Sequence, residues 1–188
     1  MLERLIKKKI NNHFDEQPDK VLVVTGARQV GKSYIIRHVG KKRFKNFIEI
    51  NLLKDKMSNG LFSNIKTIND FYLAISSVYG HQLDNKENTL IFLDEIQEYP
   101  DLLTLFKFLK EDDKYEYIAS GSLLGVTLAQ TSSIPIGSVR KLEMYQLNFV
   151  EFLLANGFNH SSINTLRTFF NEKKRIRWRL TFAIVKLV

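Results

Sequence analysis

Unbroken apolar runs alternate along this chain with stretches in which apolar residues recur every three or four positions, a pattern that predicts strands separated by helices. Val21-Leu22-Val23-Val24 has no polar member and is mostly β-branched, as expected of a strand buried on both faces of a parallel sheet. The strand predicted from Thr89 to Asp94 holds a second run of four apolar residues, Leu90 to Leu93. Phe47 to Ile50 reads as a short strand and Tyr115 to Ala119 as a further one, and Val139 to Tyr145 alternates enough for a last core strand.

Helical spacing fills the intervals. Leu2, Leu5, Ile6, Ile10 and Phe14, with Arg4 and Lys7 to Lys9 between them, predict an amphipathic helix that Pro18 and Asp19 break. A second helix starts at Lys32 and runs to Val39, ahead of the basic segment Lys41 to Lys45. Phe71, Tyr72, Ile75, Val78 and Tyr79 predict a helix over 69–79, with Asn69 or Thr67 as N-cap and Gly80 closing it. Pro100-Asp101 begins another, carrying Leu102, Leu103, Leu105, Phe106 and Leu109 and ending at Glu111, Asp112 and Asp113. Ser120 to Gly125 reads as a loop or helix start, and Pro135 to Ser138 as a turn. Asn148 to Ala155 reads as a helix with Phe149, Phe152 and Leu153 on its apolar side, stopped by Gly157.

Strands alternating with helices imply an α/β three-layer sandwich around a mostly parallel central sheet. At 188 residues and 44% hydrophobic content the chain can bury one core. The expected organisation is an N-terminal amphipathic helix packed on the core (1–17), the core itself (18–158) and the start of a C-terminal helical region (159–188).

The absence of cysteine removes disulfide frameworks, thiolate metal sites and cysteine nucleophiles, and points to a reducing compartment. Met1 to Ile10 is too charged for a secretory apolar core, and no run approaches the roughly 18 apolar residues that span a bilayer, so the expectation is a cytoplasmic protein with no membrane partner. The net charge of +8 is uneven: residues 1–45 carry 12 Lys/Arg against 4 Asp/Glu, residues 46–170 carry 10 against 15, and residues 171–188 carry 6 against 1. Such asymmetry can mark a DNA or RNA surface. No aromatic-interleaved or helix-turn-helix pattern accompanies it, so a polyphosphate ligand and a solvated face account for the excess more simply.

The chemistry concentrates where the first strand meets the second helix. Gly26-Ala27-Arg28-Gln29-Val30-Gly31-Lys32-Ser33, followed by Tyr34, fits the phosphate-binding pattern G-x-x-x-x-G-K-S/T between a strand and a helix. Glycines let main-chain N–H groups turn inward on an anion, and the helix adds its positive end. Lys32 is expected on the β- and γ-phosphates and the Ser33 hydroxyl on Mg²⁺. Asp94 and Glu95 cap the strand 89–94 at its carboxyl end, where open α/β sheets bind ligands. Asp94 is the expected Mg²⁺ partner and Glu95 the residue that polarises the attacking water. An Asp-Glu pair can also simply cap the next helix. Ser120 and Ser122 are alternatives for contacting the γ-phosphate or water, and either could instead cap a helix.

GTPases carry D-x-x-G and N-K-x-D motifs. Here Asp94 is followed by Glu-Ile-Gln, and the look-alike Asn85-Lys-Glu-Asn88 precedes the strand and lacks the aspartate, which favours ATP. Arg28 lies inside the loop, and Arg37 and Arg140 are weaker arginine-finger candidates. His13, His38, His81 and His160 show no zinc spacing, and Trp178 and the phenylalanines read as core.

With Gly26 to Ser33, Phe92-Leu-Asp-Glu-Ile-Gln97, Ala119-Ser-Gly-Ser-Leu-Leu-Gly125, Ile134-Pro-Ile-Gly-Ser138 and Met144 to Phe152 in order, residues 1–158 resemble a family of prokaryotic AAA-like ATPases. The resemblance implies a P-loop NTPase of the additional-strand, catalytic-glutamate type that binds ATP with Mg²⁺, hydrolyses it and couples nucleotide state to a DNA or protein partner, with oligomerisation open. Members usually join this core to a C-terminal domain of unknown function. Gln146 stands where proline is common, and the ending Asn171 to Val188 departs from the family, so a truncated or frame-shifted product, or a fragment, is expected. The rival readings are a nucleotide-gated module or inactive fragment that does not hydrolyse, and a small P-loop kinase, which would need an arginine-bearing lid and an acceptor pocket.

Overall fold

The computed structural model describes residues 3–16, 19–122 and 136–171. Leu2, Pro18, the segment 123–135 and the ending 172–188, with the expectations placed on them, lie outside the described residues. Residues 6–145 form one compact unit, and residues 3–5 with 146–171 form another.

The larger unit is built on a five-stranded sheet of β1 (Val21–Thr25), β2 (Asn46–Asn51), β3 (Thr89–Asp94), β4 (Glu116–Gly121) and β5 (Val139–Glu143) in the order β2-β3-β4-β1-β5. Every neighbouring pair is parallel, with Leu22 opposite Ile118 on one side and Arg140 on the other. The strand carrying the glycine loop and the strand carrying Asp94 are thus separated by β4. All five residues of β1 and all six of β3 are buried, as their unbroken apolar runs require of central strands. Edge strand β5 has no fully buried residue.

Successive side chains leave a strand on opposite faces, and this period of two divides the core. Val21, Val23, Ile91, Leu93, Tyr117 and Ala119 face α4 (Ile68–Tyr79) and α5 (Leu102–Asp112), whose Phe71, Ile75, Leu103, Phe106 and Leu109 fill that side. Leu22, Val24, Leu90, Phe92 and Ile118 face α1 (Leu5–Glu16) and α2 (Lys32–Arg43), through Ile6, Ile10, Phe14, Ile35, Ile36 and Val39. Burying each such side chain contributes about 1.5–3 kcal/mol, so the two apolar layers hold the sheet between the helices.

Local signals set most boundaries. Thr67 caps α4 in a reciprocal capping box with Asp70. Gly80 is right-handed and leads into a 3₁₀ turn rather than a left-handed stop. The basic segment after Val39 continues α2 to Arg43, because Lys and Arg are good helix formers. A short helix, α3 (Leu52–Met57), forms where the sequence carries no helical period, started by the Asn51 side chain accepting from the Lys54 N–H. Ser120 and Gly121 belong to β4, and Ile136–Ser138 form a 3₁₀ turn.

In the smaller unit, α6 (Phe149–Ala155) and α7 (His160–Asn171) bury Leu153 and Ile163. Asn148 and Glu151 form a capping box, and Glu151 also accepts from the Leu5 N–H at 2.8 Å and pairs with Arg4 at 3.3 Å. Those partners account for the burial of a glutamate. Phe149 and Phe152, expected on the apolar side, are instead exposed.

Candidate nucleotide site

Three short segments meet at the carboxyl ends of the strands: the loop after β1, the turn after β3 and the end of β4. The loop needs unusual backbone at three positions, Gly26 (φ 152°), Gln29 (φ 63°) and Gly31 (φ 96°). At Gly26 glycine is also required by space, since a Cβ would stand 2.1 Å from the Met144 carbonyl oxygen. That carbonyl is held there because the Met144 N–H donates to the Thr25 carbonyl at 2.7 Å, so the end of β5 presses directly on the loop.

Lys32 begins α2 and is buried, yet its Nζ donates to the loop's own Gly26 and Ala27 carbonyls at 3.0 and 2.8 Å. Burial pushes the Lys32 ammonium below the usual lysine value, and the charge of Arg28 adds to this. The Glu95 and Asp94 carboxylates pull in the opposite direction. Two acids therefore stand in the electrostatic range of the loop's cation, although they lie more than sixty positions away in sequence.

Ser33 Oγ donates to Asp94 Oδ1 at 2.9 Å, which joins the helix start to the tip of β3. Asp94 is 3% exposed, and the same oxygen accepts from the Ser120 hydroxyl at the end of β4. Ser122 is buried and its main-chain N–H donates to Gln97 Oε1 at 3.2 Å. Of the two serines offered by the sequence, Ser120 is thus the one whose hydroxyl meets Asp94.

Glu95 adopts a left-handed conformation (φ 59°), which ends β3 and turns the chain into the 3₁₀ segment Ile96–Glu98. Its Oε2 accepts from Gln97 Nε2 at 2.6 Å. A cleft of about 450 Å³ opens over these groups, lined by Arg28, Gln29, Gly31, Lys32, Ser33, Tyr34, Leu53, Glu95 and Gln97. That volume lies within the range of ligand sites, about 300–1,000 Å³. Gly26, Ala27 and Val30 complete the loop, with Val30 packed against the α1–α2 side of the core.

Arg28 is exposed beside the cleft. Arg37 is engaged in a two-pronged pair with Glu49, at 2.7 Å for each contact, and Arg140 pairs with Glu16. Leu53 and Gln97 are lining residues that the sequence reading did not single out. Leu53 is carried by the unforeseen α3. Gln97 was legible as the last residue of the Phe92–Gln97 motif, two positions after Glu95, a spacing that matters once the intervening Ile96 is known to be buried.

A family model described as "AAA domain" matches residues 18–153. The uncharacterized protein MJ1544 of Methanocaldococcus jannaschii is 28% identical over 143 residues, which are 76% of this chain and 30% of that protein, so the chain spans under a third of this relative's length. Among solved structures, the Walker-type ATPase PABY2304 of Pyrococcus abyssi superposes with a TM-score of 0.53 at 17% identity, covering 94% of this chain and 60% of that one. The ADP complex of Hsp104 from S. cerevisiae gives 0.54 at 13% identity, covering 80% of this chain and 23% of that one. At such identities the two structures speak to the fold, an α/β P-loop ATPase fold around a parallel sheet, while the match over residues 18–153 speaks to kinship. The chain belongs to the AAA domain family of AAA-like P-loop ATPases.

Proposed function

We propose that this chain binds ATP with Mg²⁺ in the cleft between the Gly26–Ser33 loop and the tip of β3, hydrolyses it, and couples the nucleotide state to a partner. The observation that carries the reading is the 2.9 Å contact between Ser33 Oγ and Asp94 Oδ1, which brings the loop's hydroxyl and the strand's carboxylate to one point beside Lys32. A hydroxyl and a carboxylate are the hard oxygen donors that Mg²⁺ takes, the rest of its shell coming from phosphate and water. Ser33 and Asp94 would hold the ion, which when bound supplies charge neutralisation at the β- and γ-phosphate oxygens.

The chain's own groups divide the remaining work. Main-chain N–H groups of the loop and the first turn of α2 receive the phosphates. Lys32 exchanges the Gly26 and Ala27 carbonyls for phosphate oxygens, a trade of neutral acceptors for charged ones that strengthens its hydrogen bonds. Glu95 orients the attacking water and accepts its proton, and Ser120, already on Asp94, senses the transferred phosphate.

Phosphate release and equilibrium ATP binding by wild type, Lys32→Ala and Glu95→Gln, each with and without DNA, test the reading. Lys32→Ala should weaken binding by about 1.5–3 kcal/mol, on the order of 10- to 150-fold. Glu95→Gln should retain binding and lose turnover by roughly 10²- to 10⁴-fold. ATP held tightly by the wild type with no phosphate released would establish the passive binding module instead, and transfer to an added acceptor would establish the kinase.

A further inference from the structure

We infer that Gln97 is a positioning residue for Glu95, an amide bridge that fixes the catalytic carboxylate relative to the end of β4. The inference rests on the reading of Glu95 as the group that activates water.

The left-handed turn at Glu95 and the complete burial of Ile96 leave Glu95 and Gln97, two positions apart, both lining the cleft. Gln97 Nε2 donates to Glu95 Oε2 at 2.6 Å while its Oε1 accepts from the Ser122 N–H at 3.2 Å. A main-chain N–H can only donate and an ionised carboxylate can only accept, so a single orientation of the amide satisfies both ends. Neither bond is needed to join β3 to β4, because those strands already pair from Leu90–Glu116 to Leu93–Ala119.

The end of β4 is therefore tied to both acids. Ser120 reaches Asp94 directly, and the Ser122 N–H reaches Glu95 through Gln97. A shift of that strand end is carried to the carboxylate through the amide, and a fixed β4 holds the carboxylate still.

Single-turnover and steady-state ATP hydrolysis by the full chain decide the matter, using wild type, Gln97→Leu, Gln97→Glu, Glu95→Gln and the double variant Glu95→Gln/Gln97→Leu, with folding checked by circular dichroism. Gln97→Leu breaks both halves of the bridge. Gln97→Glu can still accept from Ser122 but cannot donate to Glu95. Both should lower kcat on the order of 10- to 100-fold, as misplacement of a reacting group by about 1 Å does, with KM within about twofold of wild type. The double variant should be no slower than Glu95→Gln alone, since residues that act as a unit are not additive. Wild-type kcat in Gln97→Glu, or a double variant whose loss is the product of the two single losses, overturns the bridge while leaving Glu95 in its role. Wild-type turnover in Glu95→Gln overturns the reading of Glu95 itself, and the inference with it.

Discussion

Replacing Gly26 by alanine tests how the loop is shaped. The new Cβ would lie 2.1 Å from the Met144 carbonyl oxygen and 3.1 Å from its carbon. Carbon–oxygen contacts normally begin near 3.3 Å, so the loop and the end of β5 must part by roughly 1 Å. The obstacle is main chain, fixed by the 2.7 Å bond from the Met144 N–H to Thr25, one residue before the loop. Overpacking of this kind costs about 1–3 kcal/mol, and an alanine held at φ 152° adds about 1–3 kcal/mol of backbone strain. The expected total, about 2–6 kcal/mol, is a large part of a stability of about 5–15 kcal/mol. Gly31→Ala is the control: its φ of 96° is also strained, but its Cβ would meet only Met144 Cε at 3.6 Å, so the steric part is missing. Urea unfolding followed by circular dichroism, with binding of a fluorescent ATP analogue, should show Gly26→Ala losing at least about 1 kcal/mol more than Gly31→Ala, and losing nucleotide binding. Equal losses in the two variants, or a wild-type midpoint for Gly26→Ala, would refute the close approach of β5 as the reason for glycine there.

Two further outcomes follow from the core. His13 is buried at the end of α1, and burial first, then the charges of Arg140 and Lys110, push it down from 6.5 to about 4 against the pull of Glu16. The unfolded chain takes up a proton below pH 6.5 that the folded chain refuses until about 4, so this contribution is complete above 6.5 and is lost as the pH falls toward 4. It amounts to about 3 kcal/mol at most, and the urea midpoint of His13→Leu should fall less than that of wild type between pH 7 and 4.5; parallel losses in the two proteins would count against it. Phe106 is fully buried between α5 and the sheet, so Phe106→Ala should cost about 3–5 kcal/mol in urea unfolding, and a loss under about 1 kcal/mol would contradict the packing.

Burial patterns and motifs with a local cause were readable from the chain alone. The runs Val21–Val24 and Leu90–Leu93 announced central strands because a strand covered on both faces tolerates no polar position, and both are fully buried. The glycine loop was legible because its conformation is carried by consecutive residues. Helices with long apolar stripes, α4 with its capping box and α5 without a side-chain cap, ended within a residue or two of expectation. Where the signal was short or shared, the chain misled: α3 has no period to read, and in α6 Phe149 and Phe152 are exposed while Glu151 is buried, its carboxylate accepting from the Leu5 and Asn148 N–H groups and pairing with Arg4.

Other features depended on residues distant in sequence. Strand order places β4 between the loop strand and the acidic strand, and no local pattern encodes which strands become neighbours. That insertion selects Ser120 over Ser122 as the hydroxyl on Asp94 and brings Gln97 between Glu95 and the Ser122 N–H, while the pairing of β5 with the other side of β1 sets Met144 against Gly26. Sequence alone determined the kinds of strand, the glycine loop and the pair of acids, since each is written in adjacent residues. Tertiary structure alone decided which of the candidate side chains touch, because those contacts arise only when parallel strands joined by long crossovers are brought side by side.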